Sequence, residues 1–380
     1  DGLSQNSVYE VFQDNNGYLW MGTQGGLDRF NGYEFKQYEH ENSDTTSIVD
    51  GWIRCIQEDE DGILWLGTVG GNFGWFNPFE EVGGEIDLYE NHPGIQRPGR
   101  IDKILFHKDY IFLATIGSGL CRYNKTDGST MWYREDSTAE HYIKDRVFNS
   151  IFSINENELV IGDRELLVLN TETNLHTKPH SQLIEKELGL PADSLRISNI
   201  ALDERGNWYI GTWNSKGLIV LNIENQTVSQ HFPLPPDPET GKRPQTRIKE
   251  VTLDKNNKVW LSLYNRGVAV FDPGTREFEI LVPDSENPTS ISDRQIETIM
   301  KDHSGAMWLG GSRSLMKHDP EKKKFNLISN TPTADISSSF SDIWGLFIDS
   351  NEDIWVGSVY RGKGVDQINT NLKSAINAVP

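Results

Sequence analysis

A short motif recurs along the chain at nearly even intervals, and it constrains the fold more than any other feature. In its clearest copies an Asp-x-x-Gly turn runs into a Trp-x-Gly-Thr strand, as from Asp14 to Thr23 and from Asp59 to Thr68. Phe, Val or Tyr replaces Trp in three of the eight copies. The residues at the Trp position of the motif are Trp20, Trp65, Phe112, Val160, Tyr209, Trp260, Trp308 and Trp355. Successive positions are 45 to 51 residues apart. A period of this size, filled with short strands, is typical of a β-propeller.

The first repeat predicts four antiparallel strands. Val8–Gln13 and Tyr18–Thr23 flank the Asp-x-x-Gly turn, in which Gly supplies a positive φ and Asp accepts from its own turn backbone. Leu27–Phe30 and Tyr33–Tyr38 flank Asn31-Gly32, a strong hairpin signal. We therefore expect an all-β fold, a single β-propeller of eight four-stranded antiparallel blades. The alternative is a seven-bladed ring followed by the first blade of a second propeller.

The repeats fill the chain, so we expect one propeller domain over residues 1–380. Its repeats run over residues about 1–46, 47–95, 96–142, 143–192, 193–243, 244–291, 292–337 and 338–380. The connections between repeats vary most in length, and Ser181–Leu188 in one of them predicts one or two helical turns with Ser181 as N-cap.

Composition excludes several classes of partner. A formal net charge of −20 makes nucleic acids and anionic membrane surfaces poor partners. No apolar segment reaches the roughly 18 residues that a bilayer span needs, so direct membrane contact is not expected. Cys55 and Cys121 lie in different repeats and predict buried free thiols. The chain begins at Asp1 inside the first repeat, which predicts a mature or excised fragment.

The acidic turns also invite a calcium interpretation, because Asp59 to Gly62 looks like part of an Asp-rich metal loop. The acid recurs at the same hairpin while its neighbours vary, and the distal glutamate of a calcium loop is not in register. We therefore expect turn-forming acids, with no metal site and no cofactor.

Two segments resemble the two-component regulator propeller repeat. The first is Gly2 to Val8 followed by the spaced residues from Asp14 to Leu27, and the second is Asn287 to Ser292. The resemblance extends over essentially the whole chain. Members of that family commonly carry two seven-bladed propellers, and eight repeats depart from this pattern.

The resemblance implies a non-catalytic, ligand-sensing domain. In that family such repeats build the extracytoplasmic sensor of bacterial membrane receptors that end in histidine kinase or diguanylate cyclase outputs. Many members sense oligosaccharides or other nutrients. The implied partners are a small-molecule or oligosaccharide ligand and the membrane-proximal and output domains of the same receptor, with a homodimer left open. The implied location is periplasmic or extracytoplasmic.

A set of arginines is not required by the repeat. Arg196 and Arg247 occupy the position just before a predicted first strand. Arg146 and Arg294 fall one residue earlier, and Arg100 falls one residue later. First strands line the central channel of a propeller, so these side chains should lie near one mouth, where guanidiniums could bind a carboxylate, sulfate or phosphate. The favoured alternative is that each arginine pairs with an acid nearby in sequence, from the set Asp102, Asp145, Asp193, Glu250 and Asp293.

The turns between second and third strands should project over the same mouth. They add aromatic, amide and guanidinium side chains to the candidate ligand site, namely Trp213, Asn214, Tyr264, Asn265, Arg313, Tyr360 and Arg361. Aromatic faces beside such donors suit a sugar ring and its hydroxyls.

Two other functions remain open on the sequence. The first is a propeller enzyme of the lyase or glycosidase type, and it needs acid and base groups that converge at one mouth. The nine histidines are scattered and we assign no catalytic residue, although the many carboxylates leave a catalytic pair open. The second is a platform for protein interaction or dimerisation.

Overall fold

The chain divides into two compact units, Asp1–Asp319 and Pro320–Pro380. The computed structural model describes residues 2–319 except 91, 93, 98, 135–142, 144–146, 237–239, 285–286 and 288–289. In the second unit it describes only the backbone of the strands.

Seven sheets, here called blades 1 to 7, fill the first unit, and the strands of each sheet are antiparallel and consecutive in the chain. Blades 1 and 2 comprise β1 (Val8–Gln13), β2 (Leu19–Thr23), β3 (Leu27–Phe30), β4 (Phe35–Tyr38), β5 (Ile53–Glu58), β6 (Leu64–Thr68), β7 (Phe73–Asn77) and β8 (Val82–Ile86). Blades 3 and 4 comprise β9 (Arg100–His107), β10 (Tyr110–Ile116), β11 (Leu120–Asn124), β12 (Thr130–Tyr133), β13 (Ser150–Asn155), β14 (Glu158–Gly162), β15 (Leu166–Asn170) and β16 (His176–Thr177).

Blades 5 to 7 follow a helical connection. Blades 5 and 6 comprise β17 (Ile197–Leu202), β18 (Asn207–Thr212), β19 (Leu218–Asn222), β20 (Thr227–His231), β21 (Ile248–Leu253), β22 (Val259–Leu263), β23 (Gly267–Asp272) and β24 (Glu277–Leu281). Blade 7 has three strands among the described residues, β25 (Ile296–Lys301), β26 (Met307–Gly311) and β27 (Leu315–His318). The predicted four-stranded plan of the first repeat is confirmed to within two residues at each strand end.

The second unit holds the eighth repeat. Its strands are a short parallel pair, β28 (Ile328–Ser329) and β29 (Ile336–Ser337), and a four-stranded antiparallel sheet, β30 (Gly345–Ile348), β31 (Ile354–Gly357), β32 (Val365–Asn369) and β33 (Ser374–Ala378). Trp355 lies in β31, the second strand of that sheet, as the motif predicts.

The connection between blades 4 and 5 contains α1 (Pro179–Leu188) and a 3-10 turn (Ala192–Ser194). The helix was predicted, but the assignment of Ser181 as its N-cap is wrong, because the N-cap residue is Lys178. Ser181 is buried instead, and its Oγ accepts a 2.7 Å hydrogen bond from the backbone N–H of Leu166 in β15. The hydroxyl therefore ties the helix to blade 4.

The ring closes after seven blades, so the expected ring of eight is wrong. The Gly of Trp-x-Gly lies against the first apolar residue of the next blade so closely that a methyl group would clash, and the pairs are Gly22 with Ile53, Gly67 with Ile101, Gly162 with Ile197, and Gly211 with Ile248. Gly310 of blade 7 makes the same contact with Val8 of blade 1. Ser7 Oγ also donates a 2.8 Å hydrogen bond to Ser312 O across this seam. Blade 7 therefore packs on blade 1 within the first unit.

The turn acid of each well-formed repeat bonds the hairpin and the blade's aromatic residue together. In blade 1, Asp14 Oδ1 accepts from the N–H groups of Asn16 (3.0 Å) and Tyr18 (2.8 Å), and Oδ2 accepts from Trp20 Nε1 (2.8 Å). The same arrangement joins Asp59 with Trp65, Asp203 with Tyr209, Asp254 with Trp260, and Asp302 with Trp308. The acids therefore have the turn role that the sequence predicts.

The aromatic and cysteine predictions concern the interior of the ring. Trp20, Trp65, Trp260 and Trp308 are buried, and the side chain of Trp355 lies outside the described residues. Cys55 and Cys121 are both buried and free, and burial raises the pKa of each thiol. Both thiols are therefore unreactive structural side chains.

We expect Asp59→Ala to lower the free energy of unfolding by roughly 2–3 kcal/mol, because two backbone N–H groups and a buried indole N–H lose their acceptor. Asp61→Ala, an exposed acid in the same turn, should change it by less than about 0.5 kcal/mol. Denaturant unfolding of both variants gives the comparison. Equal losses, or a stabilisation of the parent by Ca²⁺, would instead support a metal loop.

The seven-bladed closure predicts that Gly310→Ala destabilises the ring. A methyl group there would lie 2.8 Å from Val8 Cγ1, so we expect a loss of about 1–3 kcal/mol from overpacking, as for Gly67→Ala at an internal seam. Gly51→Ala is the control, because a methyl group there meets nothing within 4 Å. A neutral Gly310→Ala beside a destabilising Gly67→Ala would show that blade 7 does not meet blade 1.

Candidate functional site

A β-bulge interrupts the first strand at the same place in six of the seven blades. In each of these six blades, the first Ile or Val of the first strand is followed by a residue that has no Cα partner in the second strand. These bulged residues are Tyr9, Arg54, Asp102, Ser198, Lys249 and Glu297. A bulge redirects a side chain and is common beside functional sites. All six side chains line one central cavity.

This cavity, here called the mouth cavity, has a volume of about 780 Å³. The bulges form its wall, and Trp213 and Tyr264 border it from the turns that follow β18 and β22. The backbone N–H of Trp213 donates to Arg196 O (2.8 Å), and that of Tyr264 donates to Arg247 O (2.9 Å). Each aromatic turn is therefore fixed to the residue just before its own first strand.

Three blades meet in an ion cluster on the cavity wall. Arg54 Nε donates a 3.0 Å hydrogen bond to Asp102 Oδ1, and Arg54 Nη1 donates to Tyr9 O (3.1 Å). Arg100 Nη2 donates to Asp102 Oδ2 (2.8 Å). Burial opposes the charge of Asp102, but the two guanidiniums outweigh it and lower the pKa of this carboxyl. Both arginines are therefore engaged by a single acid.

An ion pair crosses the central channel between two residues that each directly follow a bulged residue in the sequence. Lys103 Nζ of blade 3 lies 3.3 Å from Glu250 Oε1 of blade 6, and these blades stand on opposite sides of the ring. Asn199 Nδ2 donates to the same Glu250 oxygen. Burial lowers the pKa of Lys103, but Glu250 and Glu10 outweigh it and raise that pKa overall. The charges of Lys103 and Glu250 thus form the floor of the mouth cavity.

Lys249 Nζ contacts Glu297 Oε2 of the next blade, while burial and the nearby Arg54 lower the pKa of Lys249 to about 7. Gln295 Nε2 donates a 2.7 Å hydrogen bond to the other oxygen of Glu297. The cations that project from these first strands are therefore paired with acids.

Arg247 is held differently. Its guanidinium carbon lies 5.5 Å from the ring centroid of Trp213 and 5.7 Å from that of Tyr264, and these two rings contact each other edge to face at 5.3 Å. Arg196 lies in the equivalent position of blade 5, with an exposed side chain and a left-handed φ of 47°. Neither side chain has a carboxylate partner among the described residues.

The structure brings part of the predicted set together. Arg100, Arg196, Trp213 and Tyr264 line the mouth cavity, and Arg247 stacks on its two aromatic residues. Asn214 lies beside Trp213, and its Nδ2 donates to Ser194 O. That these residues bind a ligand stays a prediction.

Other predicted residues are placed elsewhere. Arg294 and Asn265 are exposed and are not among the lining residues. In blade 7 the position before β25 is held by Gln295, which lines the cavity in place of Arg294. The Arg313 side chain is 81% exposed, and its Nη2 lies 3.9 Å from Asp293 Oδ1. Arg146, Tyr360 and Arg361 lie outside the described residues.

The predicted pairing with nearby acids occurs for Arg100, which binds Asp102. It does not occur for Arg247 or Arg294 in the described ion pairs, because Glu250 pairs with Lys103 and Asp293 pairs with Arg313. Arg196 likewise has no described pair with Asp193.

Sequence reasoning missed the charged bulge residues Arg54, Lys249 and Glu297 and the floor residue Lys103, and it named Glu250 only as an acid that could pair with an arginine. Their signal was present, since a charged residue directly follows the first Ile of four first strands. Charged residues are mostly exposed, so four at one repeat position in channel-lining strands indicate a shared polar environment.

A second cavity of about 460 Å³ lies between blades 5 and 6 at the hairpin of Asp203. It exists where the Trp position holds the smaller Tyr209, with Val220 facing it across the strand pair. No predicted site residue lines it. In the described residues, no cluster of three or more His, Cys, Asp or Glu side chains is arranged to hold a metal ion.

Two comparisons concern the sequence. The family profile described as two component regulator propeller matches residues 2–25 and 47–70. Histidine kinase P4 of Formosa agariphila is 52% identical over 48 residues, which are 13% of this chain and 4% of that kinase. The chain therefore carries two component regulator propeller repeats, as the resemblance indicated.

Two solved structures show the same fold. The extracellular domain assigned to a hybrid two component system of B. thetaiotaomicron superimposes with a TM-score of 0.68 at 20% identity, over 99% of this chain and 47% of that one. Virginiamycin B lyase of Staphylococcus aureus superimposes with a TM-score of 0.59 at 13% identity, over 82% of this chain and 94% of the lyase. The present chain thus spans about half the length of the two component domain. None of the described helices combines the length and apolar character needed to cross a membrane.

The channel makes stability depend on pH through Glu10, because burial, only partly offset by Lys103, raises its pKa from 4.5 to about 7. Between these values the folded state binds more protons than the unfolded state, so Glu10 makes folding less favourable as the pH rises from 4.5 to 7. We expect Glu10→Gln to gain stability relative to the parent across this range.

Denaturant unfolding at pH 5, 6, 7 and 8 measures the difference, with Glu60→Gln at an exposed turn as the control. A difference between Glu10→Gln and the parent that stays constant with pH would show that Glu10 ionises as it does in the unfolded chain.

Proposed function

We propose that this chain, a propeller that carries two component regulator repeats, is the ligand-sensing part of a bacterial signalling receptor. Its ligand, an oligosaccharide or other nutrient, occupies the mouth cavity. The observation that supports this function is the construction of the cavity, whose wall takes one redirected side chain from each of six blades. A rigid ring thus presents a preformed concave surface of charged and aromatic groups, which is the usual character of a ligand site.

The size of the cavity fits this role. Its volume of about 780 Å³ lies within the roughly 300–1,000 Å³ range of small-molecule sites. The ion pairs of the bulge and floor residues satisfy these charges without a ligand. The location that goes with this function is the extracytoplasmic side of a membrane, with the signal passed to further domains of the same receptor.

The enzyme alternative is less well supported. Four described carboxylates line the cavity. Asp102, Glu250 and Glu297 are each held by a cation, Asp163 also has an interaction partner, and no histidine is among the described lining residues. A catalytic acid or base must be able to exchange a proton with a substrate, which paired carboxylates do poorly. The lyase-like fold alone carries no argument for activity.

Titration with a panel of oligosaccharides, followed by thermal unfolding, tests the proposal. A ligand at 100 times its Kd should add about 2.7 kcal/mol to the free energy of unfolding. Tyr264→Ala should weaken binding at least tenfold, because it removes one wall of the mouth cavity. Phe79→Ala, which removes an exposed aromatic residue on a turn of blade 2, is the matched control.

Three outcomes would contradict this function. Cleavage of the ligand, seen by chromatography of the mixture, would indicate an enzyme. A concentration-dependent dimer without saturable ligand binding would indicate an interaction platform. Binding that Tyr264→Ala leaves intact would place the ligand elsewhere on the ring.

A further inference from the structure

Several cations that line or border the mouth cavity are paired with acids, and two are not. Arg54 and Arg100 share Asp102, Lys103 meets Glu250, and Lys249 meets Glu297. Arg196 and Arg247 stand apart, since no described carboxylate lies within ion-pair distance of either. The chain has a net charge of −20 and Asp163 lines the same cavity, yet neither arginine forms a described ion pair with a carboxylate.

Arg247 is positioned by aromatic rings in place of an acid. Trp213 and Tyr264 contact its guanidinium from 5.5 and 5.7 Å, which is within cation–π range. A guanidinium held by ring faces keeps the N–H donors along its edge available, whereas one bound to a carboxylate has used two of them. The arrangement fixes the charge in place and leaves its hydrogen-bonding capacity for a ligand.

The same contact limits what the rings can do. A ring face that carries a guanidinium cannot also stack against the C–H face of a pyranose. The ring faces of Trp213 and Tyr264 that contact Arg247 therefore serve to orient its guanidinium. At this place the group that can bind a ligand is the arginine.

Arg196 adds a second cation to the same surface. It occupies the equivalent position of the adjacent blade, its carbonyl accepts from the N–H of Trp213, and its side chain lines the cavity. The two guanidiniums lie on neighbouring blades without a described acid partner, and an oxyanion that contacts both would bring the opposite charge that each lacks. Paired guanidiniums are well suited to the planar or tetrahedral oxygens of carboxylate and sulfate.

We propose that the mouth cavity binds an acidic saccharide, whose carboxylate or sulfate group is recognised by Arg247 and Arg196. This inference rests on the proposed sensing function and names the class of its ligand. A free inorganic oxyanion has the same recognition chemistry. The saccharide is favoured because the cavity extends from Arg196 and the two rings that hold Arg247 over the polar bulge residues.

Calorimetric titration of the full chain tests the inference. The probes are fragments of oligogalacturonate, hyaluronan and chondroitin sulfate, each beside a neutral oligosaccharide of the same length, and sodium sulfate at matched ionic strength. We expect at least one acidic probe to bind at least tenfold more tightly than its neutral counterpart, and sulfate alone to bind more weakly than that probe.

Four variants locate the anion. Arg247→Gln should weaken binding of the acidic probe at least tenfold, and Arg196→Gln should weaken it several-fold. Arg247→Lys should also weaken it, because an ammonium keeps the charge but loses the planar fork. Lys301→Gln removes one positive charge at the far end of β25 and should leave binding unchanged.

The outcomes separate this inference from the proposed function. Neutral probes that bind as tightly as acidic ones, unaffected by Arg247→Gln, would overturn the acidic class and leave a sensor at the mouth. If sulfate alone binds as tightly as the best saccharide, the proposal that the bound anion is part of a saccharide is overturned. If none of the probes binds, both the acidic ligand class and the sensing function are overturned.

Discussion

In five of the seven blades, one carboxylate of the first hairpin joins the turn to the aromatic residue of the core. In the blade 1 hairpin Asp14 accepts two backbone N–H groups and the indole of Trp20, so a single side chain closes the turn and orients the aromatic that packs between blades. Burial raises the pKa of the equivalent Asp59, but bonds from Lys125, Trp65 and Ile63 outweigh it and hold that pKa below its usual value. Such an acid stabilises the fold above its unfolded pKa, and this contribution is lost as the pH falls through its folded pKa.

The sequence predicts the blades well because the interactions that build a blade are local. The Asp, the Gly and the Trp lie within about ten residues of each other, so one motif contains the turn, its acceptor and its core side chain. Ring closure is different. The contact of Gly310 with Val8 joins the two ends of the first unit, and the eighth repeat carries the same Trp-x-Gly at Trp355. The motif therefore gives the number of repeats but does not show which repeat closes the ring, and the expected ring of eight blades was wrong for that reason.

The candidate site was predictable in part. Arg196 and Arg247 were found because the position before the first strand is fixed by the strand's own pattern. Arg294 was misplaced by one residue, since the length of the preceding connection varies and Gln295 takes that position. The bulge residues were not predicted as a set. A bulge adds a residue to the first strand only, and an alignment of the repeats on the second strand does not reveal it. The contact of Arg247 with Trp213 and Tyr264 joins turns of two blades and needs the folded ring.

The ion pair of Lys103 with Glu250 has a kinetic consequence. It crosses the channel beneath the mouth cavity, so a ligand that rests on this floor leaves along the path by which it arrived. A neighbouring segment that covered the mouth without touching the ligand would slow arrival and departure by the same factor, because both pass the same barrier. The occupancy at equilibrium would stay the same while the lifetime of the bound state grew. A receptor built on this ring could thus lengthen its response without changing the concentration to which it responds.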